Sequence, residues 1–212
     1  MDDNTKTITR LHMEQAKKAL EAHHIKTFLT ATKEEAAALA NAMIQDGSKV
    51  SDGGSMTLHE IGLDEELRTR NVTYISHNDP TLSKEENDAE ARAAFSADTF
   101  VCSSNAITMD GAIVNVDGRG NRVAAIIYGP KQVIILAGSN KIVKDEEAAK
   151  ERIRQIAAPA NCVRLQRATP CVKLGTCQDC ASKDRICCAY VKYEYDNYDR
   201  IRVILIEEEF GY

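Results

Sequence analysis

The stretch from Ala97 to Val143 constrains this chain most. It reads ADTFVCSSNAITMDGAIVNVDGRGNRVAAIIYGPKQVIILAGSNKIV, short apolar runs rich in β-branched residues separated by Gly, Asp and Asn. Runs of four to eight such residues bounded by turn formers read as strands. The pattern predicts strands at Thr99–Cys102, Asn105–Thr108, Ala112–Val116 and Gln132–Ala137. Met109-Asp110-Gly111 carries the Asp-Gly pair that favours a tight hairpin. Asp117-Gly118-Arg119-Gly120-Asn121 is a second glycine-rich turn, feeding Arg122–Tyr128, which Gly129-Pro130 stops. That last run reads as one more strand, a single helical turn being the alternative. Polar, glycine-bearing loops at the ends of a buried sheet are where α/β proteins build sites.

Upstream, helices alternate with strands. Ile8, Leu11, Ala16, Ala19 and Leu20 recur at helical spacing, predicting an amphipathic helix over residues 5–24, with His12, His23 and His24 as surface residues. Lys26–Thr30 reads as a strand, and Thr32 with Glu35 as a capping box for a helix through Gln45. Lys49–Ser51 is strand-like. Leu58–Arg70 reads as helix interrupted at Gly62, Asn71–Ser76 as a strand, and Ser83 with Glu86 as the cap of a helix through Ala94. This βαβ patterning implies a mainly parallel sheet, which the Asp110-Gly111 hairpin makes mixed.

Gly53, Gly54, Ser55 and Thr57 open a helix directly after a strand. Amides at such a helix start and the helix dipole favour an anion, although the spacing matches neither a P-loop nor a dinucleotide fingerprint. The bland alternative is that Ser55 only caps the helix. His59 follows this loop and is a weaker cleft candidate; His77, before Asn78-Asp79-Pro80, reads as a solvated loop residue. Asp98, Asn105, Thr108, Asp110 and Asn115 mostly sit at strand ends or turns and are expected to meet the glycine loop around a small polar ligand. Asp110 is the candidate general base if burial raises its pKa, and otherwise only the first residue of its turn. Lys141, after Gly138-Ser139-Asn140, is the candidate partner for an anionic ligand, a solvated Lys at a strand end being the alternative.

Six of the seven cysteines fall between residues 162 and 188, and from Cys171 they follow C-x5-C-x2-C-x6-C-C. A C-x2-C pair lets two sulfurs reach one metal from a tight turn, here Cys177 and Cys180. Cys171 with Cys187 or Cys188 would complete four thiolates, suited to zinc or an iron–sulfur cluster. A redox-active Cys177–Cys180 dithiol and simple packed thiols are the competing readings. Cys102, inside a strand, reads as a buried structural thiol. Asp145–Ala157 reads as a helix ended by Ala158-Pro159, and Ile201–Ile206 as a closing strand of the sheet. The expected organisation is an α/β domain over residues 1–158, a cysteine-rich appendage over 159–192 and the closing strand of the same domain over 193–212.

Composition limits the partners. The chain has 212 residues, 43% hydrophobic and 28% charged, enough to bury a core without disulfides. A net charge of −5 gives nucleic-acid binding little electrostatic support. No run approaches the roughly 18 apolar residues of a membrane span. A polar MDDNTKTITR start makes the cytoplasm the expected compartment. In that setting cysteines point to metal or redox chemistry.

The chain resembles the LUD, or lactate-utilisation domain, family. The residues that carry the resemblance are Asp98, Ser103-Ser104-Asn105-Ala106-Ile107-Thr108, Asp110-Gly111, Asn115, Gly118, Gly120-Asn121-Arg122, Gly129-Pro130-Lys131 and Asn140-Lys141-Ile142-Val143, with Gly53-Gly54-Ser55-Met56-Thr57-Leu58 upstream. The resemblance implies a fold similar to ribose-5-phosphate isomerase, glucosamine-phosphate deaminase and the CoA transferases. It also implies an accessory role in lactate or 2-hydroxy acid utilisation beside an iron–sulfur electron-transfer protein. Isomerase- or transferase-like turnover and a metal-stabilised binding module are the alternatives. Two departures count against turnover of those kinds: Ser103-Ser104-Asn105 stands where CoA transferases place a nucleophilic Glu, and Thr99-Phe100 follows Asp98 where the isomerases carry acidic residues.

Overall fold

The computed structural model describes residues 2–76 and 81–212, so His77 and the Asn78-Asp79-Pro80 turn lie outside the described residues. The strands in chain order are β1 (Lys26–Thr30), β2 (Lys49–Asp52), β3 (Thr73–Ile75), β4 (Thr99–Cys102), β5 (Ala106–Thr108), β6 (Ile113–Asp117), β7 (Gln132–Gly138), β8 (Ile142–Val143), β9 (Ala189–Tyr193) and β10 (Ile201–Ile206). The α-helices are α1 (Asp3–Ala22), α2 (Lys33–Met43), α3 (Met56–Ile61), α4 (Leu63–Thr69), α5 (Lys84–Ala93), α6 (Asn121–Ile127), α7 (Glu146–Arg152), α8 (Ala158–Arg164) and α9 (Pro170–Leu174).

Six strands form one parallel sheet in the order β1-β10-β7-β4-β2-β3. The mixing that the hairpin foretold is confined to a second sheet, β8-β5-β6-β9, in which β5–β6 and β6–β9 are antiparallel and β5–β8 parallel. β9 therefore ties residues 189–193 to this second sheet. β10 is not an edge strand; it lies between β1 and β7.

The apolar runs of the central strands are continuous because both faces are covered. Strand periodicity then sorts them: Val133, Ile135 and Ala137 of β7 join Met13, Ala16 and Leu20 of α1 on one face. Ile134 and Leu136 join Ala36, Ala40, Leu58, Leu63 and Leu67 of α2, α3 and α4 on the other. The second sheet lies over the first face through Ile107 and Ile113. Its opposite face, with Ala106, Val114 and Val116, buries Ala149, Ile153 and Ala158.

Helix starts follow the capping chemistry. Thr32 accepts the Glu35 amide, and Ser83 and Glu86 form a reciprocal capping box. Gly62, at φ +85°, separates α3 from α4.

Two expectations are corrected. The run Arg122–Tyr128 forms a helix, α6, as far as Ile127, rather than a strand, with Tyr128 as its extended cap. Its start is set by Asp117, whose carboxylate accepts the Arg119 and Gly120 amides at 3.0 and 2.8 Å. Val123 and Ile126, three apart, face the core while Ile127 and Tyr128 stay exposed. Pro159 does not end the helix begun at Glu146 either. A π-helical turn at Ile153–Ala157 intervenes, and the helix resumes as α8 with Pro159 in its first turn, where a missing N–H costs least.

Candidate functional site

Three adjacent strands of the parallel sheet, β7, β4 and β2, end on one edge. Their carboxyl ends lead into Ser139-Asn140-Lys141, Ser103-Ser104 and Gly53-Gly54-Ser55. Crevices outside the carboxyl ends of parallel strands are where open α/β sheets bind ligands. Here a cavity of about 330 Å³ opens, closed on its far side by Asp117–Arg122, by Asn161 and Arg164 of α8, by Ile186 and by Tyr212.

Lys141 forms its floor. The side chain is 2% exposed, and Nζ lies 2.8 Å from both Thr57 Oγ1 and Ser103 Oγ. No carboxylate among the described residues pairs with it. Burial, then the charges of Arg152 and Arg122, hold its ammonium down to about 7. An unpaired buried cation is costly, and it is a strong site for an incoming negative charge.

Arg122 forms the wall. Its guanidinium donates to Ser103 O at 3.0 Å, Asn115 Oδ1 at 2.6 Å, Asn105 Oδ1 at 3.0 Å and Val116 O at 2.8 Å, with Asp117 Oδ2 at 3.5 Å from Nε. It thereby ties β4, the second sheet and α6 together. Arg119, Arg164 and Arg167 add positive charge around the same cavity, against one lining carboxylate, Asp117.

The structure brings Gly53, Gly54, Ser55, Thr57, Asn105 and Lys141 to this cavity. The glycine loop does so in a different way from the one expected. The Gly53 amide donates to Val101 O and the Gly54 amide to Asp52 Oδ1, so neither points at a ligand. Gly53 is small for a steric reason: a Cβ there would sit 3.0 Å from Arg122 Cδ and from Cys102 Cβ. Behind the loop, the Tyr74 hydroxyl donates to Asp52, and burial beside that carboxylate pushes the phenol well above its usual pKa. Ser55 occupies the N-cap of α3 without a side-chain capping bond.

Asn115 is buried beneath the cavity rather than lining it, accepting the Asn105 amide and the Arg122 guanidinium. Asp110 lies elsewhere. Its carboxylate accepts from the Thr108 hydroxyl, and its hairpin docks on the end of α1, where Gly111 O lies 2.9 Å from His23 Nδ1. Neither Asp110, Thr108 nor Asp98 lines the cavity, so a general base facing the glycine loop does not come from Asp110. His59 lies on the helix surface, 3.2 Å from Asp64. His23 is half-buried, with its ring centroid 4.2 Å from that of Tyr195.

Cys171, Cys177, Cys180 and Cys187 line a second hollow together with Cys162, whereas Cys188 is exposed outside it. All seven thiols are free, and burial pushes Cys102 up to about 12. Among the described residues, no three His, Cys, Asp or Glu side chains stand grouped as a metal ion's ligands.

Sequence reasoning missed Arg119, Arg122, Arg164 and Arg167. For Arg122 the signal was the helical spacing of Val123 and Ile126; for Arg164 it was Asn161 three residues earlier, hidden by ending the helix at Pro159.

Fold and cleft define a layered α/β domain with a cationic crevice at the carboxyl edge of a parallel sheet. The model of the LUD domain family matches residues 13–206, and the chain belongs to that family. A DUF162 family protein from Deinococcus radiodurans shares this fold, with TM-score 0.55 and 15% identity over 93% of this chain and 98% of that one. Partial overlaps include eIF2B beta from Chaetomium thermophilum, with TM-score 0.40, 19% identity and 54% and 44% of the two chains covered. Ribose 5-phosphate isomerase from Plasmodium falciparum overlaps with TM-score 0.33, 15% identity and 53% and 52% covered. No curated protein gives a significant sequence match. No helix of the described residues is long and apolar enough to cross a membrane.

Proposed function

We propose that this LUD domain binds a small anion, a carboxylate or a phosphate, in the Lys141 cavity. In this reading it serves 2-hydroxy acid utilisation as an accessory protein working beside an iron–sulfur electron carrier. The observation that carries the binding role is Lys141 itself, a buried ammonium held by two hydroxyls with no carboxylate partner among the described residues. The lactate context rests on family membership.

Thermal unfolding of the protein with lactate, inorganic phosphate, ribose 5-phosphate and an acyl-CoA tests the binding role, because a ligand of the native state raises Tm by mass action. Lactate or phosphate is expected to raise Tm, and Lys141→Met is expected to remove the shift. No shift with any of the four would overturn the reading. In the host, loss of the gene is expected to impair growth on lactate.

A catalytic second reading rests on the same residue. An amine held near neutrality has both protonation states available for proton transfer at pH 7. A Tm rise confined to the sugar phosphate or the thioester, with turnover lost in Lys141→Met, would favour it.

A further inference from the structure

Cys162, Cys171, Cys177, Cys180 and Cys187 line one hollow of about 10 Å³ behind the main cavity, with Ala158 and Ile186 walling both spaces. Five of the seven thiols are thus gathered from three places: α8, α9 and the segment 175–188, which has neither helix nor strand. Cys162 lies outside the C-x5-C-x2-C-x6-C spacing and arrives through the continuation of the helix past Pro159. Cys188 leaves the hollow because its amide is held by Asp117 O at 3.1 Å and its thiol faces Arg185 O.

Two features of the loop suit thiolate ligation. The Asp179 amide donates to Cys177 Sγ at 3.4 Å, across the first two residues of the C-x2-C turn, with Asp179 at φ +44°. Hydrogen bonds of this kind to sulfur orient a ligating thiolate and offset its charge. Arg185 clasps the turn, donating to Cys180 O at 2.6 Å, Cys187 O at 2.9 Å and Asp179 Oδ1 at 3.0 Å. It also brings a fixed positive charge beside the sulfurs. Three of the five thiols sit on this irregular loop, and since no three thiols of the described residues yet stand as a metal ion's ligands, the loop itself must close on a guest. Soft sulfur ligands in fours select zinc or iron–sulfur centres.

We propose that this hollow is a thiolate metal centre, taking Zn2+ or an iron–sulfur cluster, with Cys162 inside the ligand set and Cys188 outside it. Loading would tie segment 175–188 to α8 and fix Ile186 as a wall of the neighbouring cavity. The proposal stands apart from the anion-binding reading, and its test uses no anion.

The full chain, purified without oxygen, is incubated with Zn2+ or with Fe2+ and sulfide, desalted and assayed for bound metal and visible absorption. Thiols are then alkylated and the modified cysteines identified by mass spectrometry. About one zinc or one cluster per chain is expected. The absorption spectrum separates the two guests. Cys188 should be the fast-alkylating thiol when loaded, with Cys177, Cys180 and Cys187 joining it after chelation. Cys188→Ser should retain its metal, and Cys162→Ser, with its fold followed by circular dichroism, should hold it at least tenfold more weakly. Substoichiometric loading with both guests overturns the proposal, as does equally fast alkylation of Cys177, Cys180 and Cys188 in the loaded protein. Full retention by Cys162→Ser also overturns it. Should Cys162→Ser fail to fold, the alkylation pattern of the parent chain decides.

Discussion

At the scale of single residues, Lys141 and Arg122 divide the labour of the cleft. Lys141 is the unpaired charge, and its ammonium sits at about 7 against an ordinary 10.5. Between those values the unfolded chain holds more protons than the folded one, so this residue makes stability rise with pH across that window. Lys141→Met should lack that component and be no less stable than the parent at pH 6, while losing anion binding; chemical denaturation at pH 6 to 10 reads the first and calorimetry the second. Only the protonated amine attracts an anion. Lactate affinity should therefore fall on the order of tenfold per pH unit above about 7. Arg122, by contrast, is saturated by two backbone carbonyls, two asparagine amides and Asp117. A lysine there cannot reproduce a five-donor fork. Arg122→Lys should cost about 3 kcal/mol in denaturant unfolding, as expected for a buried network broken at one member.

At the scale of elements, close backbone approaches hold the site together. A Cβ on Gly138, at the end of β7, would lie 2.6 Å from the Phe210 amide nitrogen and 2.8 Å from Glu208 O. Gly138→Ala should therefore push away the segment after β10 and lose about 1–3 kcal/mol, measured by urea unfolding. The elements were largely legible in the sequence. β4 spans Thr99–Cys102 as its β-branched run predicts, and the Ser83–Glu86 box marks the start of α5. What was not legible followed from local rules overridden by packing. Arg122–Tyr128 is apolar on both faces, so its period is ambiguous, and Asp117 settles it by capping the turn before it. Pro159 reads as a terminator, but it sits in the first turn of α8, where its missing donor costs least. Those two readings hid the arginines of the cleft. The glycine loop was visible as a candidate lining of the cleft, yet not that its amides are already engaged.

At the scale of the whole molecule, charge is distributed against its net sign. The chain carries −5, yet Arg119, Arg122, Lys141, Arg164 and Arg167 surround one cavity. Such focusing draws in anions and weakens with salt, whose screening length is about 8 Å at 0.15 M. Replacing Arg164 and Arg167 by Gln together should weaken lactate binding about three- to tenfold at low ionic strength and flatten its salt dependence, as calorimetry across a chloride series would show. The topology imposes a further condition. β10, last among the strands, lies between β1 and β7, so residues 201–206 must reach a slot opened some 170 positions earlier by Lys26–Thr30. During synthesis the ribosome thus delivers this inner strand after both of its neighbours, and until then the facing margins of β1 and β7 stand open. A nascent chain stalled before Ile201 should be the protease-sensitive, chaperone-dependent form, and maturation should come as one late, cooperative zipping of β1 onto the rest of the sheet.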